Sequence, residues 1–203
     1  MRYAVGDIHG CIETLKILIE EKINPTKNDL LIFLGDYIDR GKNSKLVLDY
    51  LKLLIKTGYQ IKLLRGNHEE MLLNSFRSYD DFMLWYYNGA SSTFLSFGIN
   101  LYSTIEWQKI QQIPKEYIDF IKSTDYYYLM DDFWLVHAGF NFKHDNIFAD
   151  KHSMVWIREV IPDTSVLKDK KIVHAHTPVP LETILLTVED KDSKIINIDG
   201  GCV

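Results

Sequence analysis

Leu30-Leu31-Ile32-Phe33-Leu34-Gly35-Asp36-Tyr37-Ile38-Asp39-Arg40-Gly41 runs from an unbroken apolar stretch straight into glycine, two carboxylates and an arginine. Such a run, stopped by glycine, reads as a strand buried on both faces that ends in a tight turn. The same pattern lies on either side of it. Tyr3 to Val5 ends at Gly6, and Ile61 to Leu64 ends at Gly66. Helical spacing fills the intervals: Ile12, Leu15, Ile19 and Ile23 recur at threes and fours through Cys11 to Lys22, as do Val47, Tyr50, Leu51 and Leu54 through Leu46 to Ile55. Strand, helix, strand, helix, strand implies an α/β core with a parallel sheet.

The second half reads differently. Tyr126 to Met130 and Phe133 to Val136 predict strands around Asp131-Asp132, and Ile172-Val173 predicts another. Thr183 to Val188 with Ile195 to Ile198 predicts a hairpin around Glu189 to Ser193. A mixed sheet or a two-sheet sandwich follows, with no linker, repeat or low-complexity tract, so one domain is expected.

Composition narrows the function classes. The 203 residues are 46% hydrophobic, enough for a sizeable core. Lys+Arg of 23 against Asp+Glu of 28 gives −5, which argues against a general nucleic-acid binder. No stretch is apolar for long enough to span a bilayer, and Met1 to Val5 runs straight into Gly6-Asp7, leaving no room for a signal peptide. Cys11 and Cys202 have neither disulfide-scaffold nor metal-type spacing. A reducing, cytoplasmic setting is therefore expected.

The chemistry lies in the loops after the strands: Gly6-Asp7-Ile8-His9-Gly10, then Gly35 to Gly41, then Arg65-Gly66-Asn67-His68-Glu69. Loops beyond the carboxyl ends of parallel strands open into one crevice, so Asp7, His9, Asp36 and Asn67 should converge. Oxygen ligands mixed with imidazole suit manganese, iron or zinc. Val136-His137-Ala138-Gly139 and His174-Ala175-His176-Thr177-Pro178 add ligands, enough for two ions.

These motifs, in this order, resemble the phosphoprotein phosphatase branch of the calcineurin-like metallophosphoesterases, with small bacterial and phage serine/threonine phosphatases most similar. The resemblance extends through His137-Ala138-Gly139, Met154-Val155-Trp156-Ile157-Arg158-Glu159 and Ala175-His176-Thr177-Pro178. It implies a sandwich of two mixed β-sheets flanked by helices, a single metallophosphoesterase domain over 1–203, with an aromatic-rich helical insert around 79–112. It further implies two divalent ions, manganese first and iron or zinc as alternatives. Asp7, His9 and His176 would hold one, Asn67 and His137 the other, with Asp36 bridging. Arg40 and Arg158 would bind the phosphate beside Asn67, and His68, backed by Asp39, would protonate the leaving oxygen after direct attack by metal-bound water.

The implied substrate is a phosphoprotein, phosphorylated on serine or threonine with tyrosine as an extension. A diadenosine tetraphosphate or other nucleotide hydrolase shares the same motifs, and an inactive binding module would normally have lost one of them. Arg65 is either a phosphate contact or, with more weight, a support for the third loop. His174, two before His176, is weighted towards a core or rim residue, as are His144 and His152; Cys11 is weighted towards packing over reactivity. For Phe82, Trp85, Tyr86, Phe94, Phe97, Tyr102 and Trp107, core packing outweighs a wall over the groove. Ala90 stands where relatives carry a second glycine after Asn88-Gly89, which puts that turn in question.

Overall fold

Phe33 and Ile32 point to opposite faces of one strand and both are buried, so the sheet that contains them is covered on each side. The structure, a computed structural model, describes residues 1–101 and 106–202. Its first sheet is parallel, in the order β1 (Arg2–Val5), β2 (Leu30–Phe33) and β3 (Gln60–Leu63). The connections are α1 (Ile12–Lys16), which continues as a π-helical stretch to Ile23, and α2 (Ser44–Lys56). Asn24, at φ 45°, ends the first of these. After β3 come α3 (Asn67–Asn74), α4 (Tyr79–Trp85), α5 (Ser91–Ser96), a 3₁₀ turn at Trp107–Gln112 and α6 (Lys115–Lys122).

The second sheet has the order β4 (Tyr127–Leu129), β5 (Phe133–Val136), β6 (Lys171–His174) and β7 (Ile195–Asn197), of which only the first pair is antiparallel. α7 (Lys151–Trp156) and α8 (Thr164–Leu167) separate β5 from β6, and α9 (Leu181–Glu189) separates β6 from β7. The architecture is thus the expected two-sheet, mixed α/β sandwich flanked by helices. Among the described residues no helix is long and apolar enough to cross a membrane.

Strand alternation sorts the apolar residues into three layers. Ile32, Leu34, Leu64, Leu135, Val173, Ala175 and Ile196 fill the space between the sheets. Leu31, Phe33, Val5 and Leu63 face the other way, onto the helices of the first half. Trp134, Val136 and Ile172 pack outward with Phe140, Met154 and Leu167. Phe82, Trp85 and Phe94 of the expected insert are fully buried in the helical layer, with Tyr86, Phe97 and Trp107 packed around them; Tyr102 lies outside the described residues.

One expected element is corrected. Thr183 to Val188 is part of helix α9, not a strand, and β7 runs parallel to β6 instead of closing a hairpin. Pro180 precedes the helix with φ −57°, and Glu182 sits in its first turn. None of its residues is buried, and Leu181, Leu185, Leu186 and Val188 are exposed. An apolar segment that packs so lightly carries no helical period to read.

The inter-sheet layer should dominate stability. Ile32→Ala removes a branched side chain from its centre and is expected to cost about 2–5 kcal/mol, read as a lower urea midpoint with unchanged slope.

Candidate metal centre

Five of the seven described non-glycine residues with positive φ are expected site residues: His9 (44°), Asp36 (51°), Asp39 (69°), Arg40 (63°) and His176 (75°). Left-handed backbone is costly for such side chains, so its concentration here points to loops held by their surroundings. The holding groups are visible. Asp36 carbonyl accepts the Ile8 and His9 N–H groups at 3.1 and 2.7 Å, and His9 carbonyl accepts that of Gly41 at 3.0 Å. Glu69, fully buried, accepts N–H groups from Asp36 (2.8 Å), Tyr37 (2.8 Å), Ile38 (3.3 Å) and Gly66 (3.0 Å). The third loop is thereby clamped to the second. A Cβ on Gly66 would collide with the Asp36 carboxylate and backbone nitrogen, so only glycine admits that approach.

Side chains from all five loops meet at this point. His9 Nδ1 donates to the Ile38 carbonyl at 2.9 Å, leaving Nε2 3.5 Å from Asp36 Oδ2 and 3.9 Å from Asp7 Oδ2. His137 Nδ1 likewise donates to Leu34 carbonyl at 3.0 Å, and its Nε2 lies 3.1 Å from Asn67 Oδ1 and 3.6 Å from Asp36 Oδ2. His176 Nδ1 is 3.0 Å from Asn67 Oδ1 and 3.2 Å from His137 Nε2. The distances therefore group His176 with Asn67 and His137, where the resemblance put it with Asp7 and His9. Its tie to Asp7 is through the backbone, N–H to Oδ1 at 3.4 Å. Asp36 touches both groups.

The donor set fits divalent cations. His9 Nε2, His68 Nε2 and His176 Nε2 are buried with no hydrogen-bond partner. Burial, with His68 and Arg40 adding to it, pushes His9 down to about 3; burial, with Arg158 and neighbouring histidines, pushes His176 down to about 4. Burial, with His176 beside it, holds His137 well below the usual imidazole range too. Neutral imidazoles keep the lone pairs that a metal needs. Asp7 and Asp36 are raised by burial and by their carboxylate neighbours, the imbalance that cations would reverse.

Beside this cluster stands a second arrangement. His68 Nδ1 is 2.7 Å from Asp39 Oδ2, so its Nε2 faces the cluster, 3.9 Å from Asp36 Oδ2. Asp39 also accepts from Trp85 Nε1 at 2.7 Å and from Thr93 Oγ1 at 2.5 Å. Trp85 and Thr93 are the contribution of the aromatic segment, and the sequence signalled the tryptophan only as packing. Gly89, at φ 111°, lies against Arg40, whereas Ala90 is helical at φ −56° and fully buried, so the second glycine is dispensable here.

Arg40 and Arg158 reach the rim: both are exposed, and Arg158 Nη1 lies 3.5 Å from Thr177 Oγ1, next to His176. Arg65 does not join them. Its guanidinium is spent on Thr124, Tyr126, Glu70 and the Lys122 carbonyl, which is the loop-supporting alternative that carried more weight and leaves no donor for a phosphate contact. His174 ends β6 with Nδ1 3.0 Å from Ala175 carbonyl, and because His176 has left the strand the two do not share a face. His144 braces a turn at Asn146 and His152 stacks on Trp156. Cys11 and Cys202, both free, are neighbours: Cys11 Sγ donates to Cys202 carbonyl at 3.3 Å.

A two-sheet α/β sandwich here places one carboxylate, Asp36, between two groups of side chains that could hold divalent cations. The profile of the calcineurin-like phosphoesterases matches residues 3–196, and the chain belongs to that family. Serine/threonine-protein phosphatase 2 of Salmonella typhimurium is 42% identical over 88 residues, 43% of this chain and 38% of that protein. The symmetrical bis(5'-nucleosyl)-tetraphosphatase of Buchnera aphidicola is 34% identical over 113 residues, 56% of this chain and 39% of that protein. These matches span about two-fifths of the length of the curated relatives. A cold-active protein-tyrosine phosphatase of a Shewanella species shares the fold with TM-score 0.61 at 18% identity, covering 99% of this chain and 71% of that one.

Burial pushes Asp39 up to about 7, with the Thr93, Trp85 and Arg40 contacts pulling the other way. A carboxyl raised in the fold binds its proton more tightly there than in the unfolded chain, so its contribution to stability is present at acid pH and lost as pH rises from about 4 to about 7. In the metal-stripped protein, the melting temperature of Asp39→Asn relative to the parent is expected to rise across that window. A difference independent of pH would show that Asp39 does not carry this shift.

Proposed function

We propose that this chain is a metal-dependent phosphomonoesterase acting on phosphoserine and phosphothreonine in proteins, with tyrosine as an extension. The observation that carries the reading is the position of Asp36 between two ligand groups, Asp7 and His9 on one side and Asn67, His137 and His176 on the other, with His68 alongside. We take residues 1–203 as one domain, since Trp85 and Thr93 of the 79–112 insert are built into the site through Asp39.

Two divalent cations, manganese in the first instance, would supply an activated nucleophile at neutral pH and polarise the phosphoryl group. The remaining work falls to side chains. Arg40 and Arg158 present planar donors matched to phosphate oxygens and stand at the rim, where a substrate enters. Asp39 fixes the His68 ring so that Nε2 faces the leaving oxygen. Burial and Arg40 push His68 down to about 3, so it is a poor proton carrier until a phosphate dianion arrives beside it. The acid is then charged only when substrate is in place.

The tetraphosphatase name among the relatives supports a second reading, dinucleoside polyphosphate hydrolysis by the same site. Turnover of a phosphoserine peptide, p-nitrophenyl phosphate and diadenosine tetraphosphate with Mn²⁺, and after chelation, separates them. The protein phosphatase reading expects the phosphopeptide to have the highest kcat/KM and chelation to abolish all three; preference for the dinucleotide would replace it. General acid help is worth about a hundredfold to ten-thousandfold, so His68→Asn should lose that much kcat on the peptide, whose alkoxide leaves poorly, and much less on p-nitrophenyl phosphate. Equal losses on both substrates would return His68 to a positioning role.

A further inference from the structure

β4 stands at one edge of the second sheet and is paired with β5 alone. The Met130 N–H donates to the Phe133 carbonyl at 2.8 Å, so by antiparallel alternation Tyr128 is the next residue bonded to β5. Tyr127 and Leu129 therefore turn their N–H and C=O groups to the free edge. Such edges invite a further strand, and proteins blunt them with lysine or proline on the strand or with a covering loop. β4 carries neither residue. Its edge opens instead into a groove of about 750 Å³ lined by Tyr126, Tyr127, Tyr128, Leu129, Lys122 and Lys151.

The groove is cationic although the chain as a whole carries −5. Lys122 and Lys151 are exposed on its walls. Lys151 Nζ lies 4.9 Å from the centre of the Tyr126 ring, and Lys62 Nζ, reaching over from β3, lies 5.3 Å from that of Tyr128. Among the described residues none of these three lysines makes an ion pair. Arg65 is matched by Glu70, and Asp125 is the acid that lines the groove. One end lies beside the metal centre, since Tyr127 pairs with Val136, the residue before His137.

We propose that this groove takes an extended, acidic segment of the protein substrate, which adds as a strand to β4 and sets its carboxylates against Lys62, Lys122 and Lys151. The identity of the partner rests on the protein-phosphatase reading above; the chemistry of the groove does not. Backbone bonds to Tyr127 and Leu129 supply the register, and the lysines select for acid. A segment held here leaves the reacting groups untouched, so its effect on turnover falls on KM and not on kcat.

The test is fluorescence anisotropy with a fluorescein-labelled, phosphate-free peptide in which glutamate alternates with valine, titrated with the full chain. Two further peptides of the same sequence are N-methylated at alternate residues, one at the glutamates and the other at the valines. Strand addition uses the N–H groups of one phase only, so one of these should bind at least about tenfold more weakly and the other like the unmodified peptide. Lys122→Glu combined with Lys151→Glu should weaken the unmodified peptide by about tenfold or more, with the melting temperature showing that the fold holds. Any other ranking of the three peptides, equal binding included, would overturn the proposal. So would unchanged affinity in the lysine variant, or no binding at all. Attached to a phosphoserine peptide, the acidic tail should lower KM about tenfold at constant kcat, and equal KM with and without it would sink the docking role alone. Hydrolysis of neither phosphopeptide would sink the phosphatase reading, and the anisotropy decides the groove regardless.

Discussion

The Glu69 carboxylate accepts backbone N–H groups from Asp36, Tyr37, Ile38 and Gly66, and the rest of the site depends on that clamp. A buried anion is costly, and several N–H donors are what make it tolerable. In return it locks the loop after β2 against the loop after β3. Asp36 is held at a left-handed φ, and the His68 N–H is delivered to Asp36 Oδ1 at 3.1 Å. Gly66 lets the two backbones come this close. Burial pushes Glu69 up to about 7 while its N–H partners pull it down, so the clamp is strongest as the anion.

The electrostatic design follows from this packing. Five strands, β1, β2, β3, β5 and β6, end at one place, and their loops deliver carboxylates and imidazoles into a buried volume. Burial drives the histidines towards the neutral form and the carboxylates towards the protonated form. The first shift keeps the imidazole lone pairs that a cation needs; the second marks carboxylates whose burial and mutual repulsion a cation would relieve by displacing their protons. The strain in the backbone and the misfit in charge occupy the same loops.

Much of this was legible in the sequence, because the first three strands end at glycines that start chemically dense loops. Asp7, His9, Asp36, Asn67, His137 and His176 meet where the order of strands said they should. The misreadings have local causes. α9 is so exposed that its apolar residues mimic a strand, and His176 leaves β6 before alternation can set its direction. For Arg65 the loop-supporting role was the weightier of two readings, and only the fold shows which partners fill it: Thr124, Tyr126 and Lys122, far along the chain. Trp85 was legible as core, and its indole N–H on Asp39 was not, since no local pattern pairs residues 46 positions apart. Glu69 was silent for the same reason: its role is a set of hydrogen bonds made across the fold.

The seam between the sheets has a consequence for when the site comes into existence. Asp7, His9, Asp36 and Asn67 hang from the first sheet, while His137 and His176 hang from the second, and the His176 N–H meets Asp7 across 169 residues. Loop closure over such separations makes contacts of this kind slow to form, and an N-terminal half emerges from the ribosome first. A nascent chain that has paired β1, β2 and β3 therefore carries four of the six clustered side chains and no second wall. The cluster is complete only once β6 has docked beside β5, so the two sheets must meet before any cation could find its full set of neighbours.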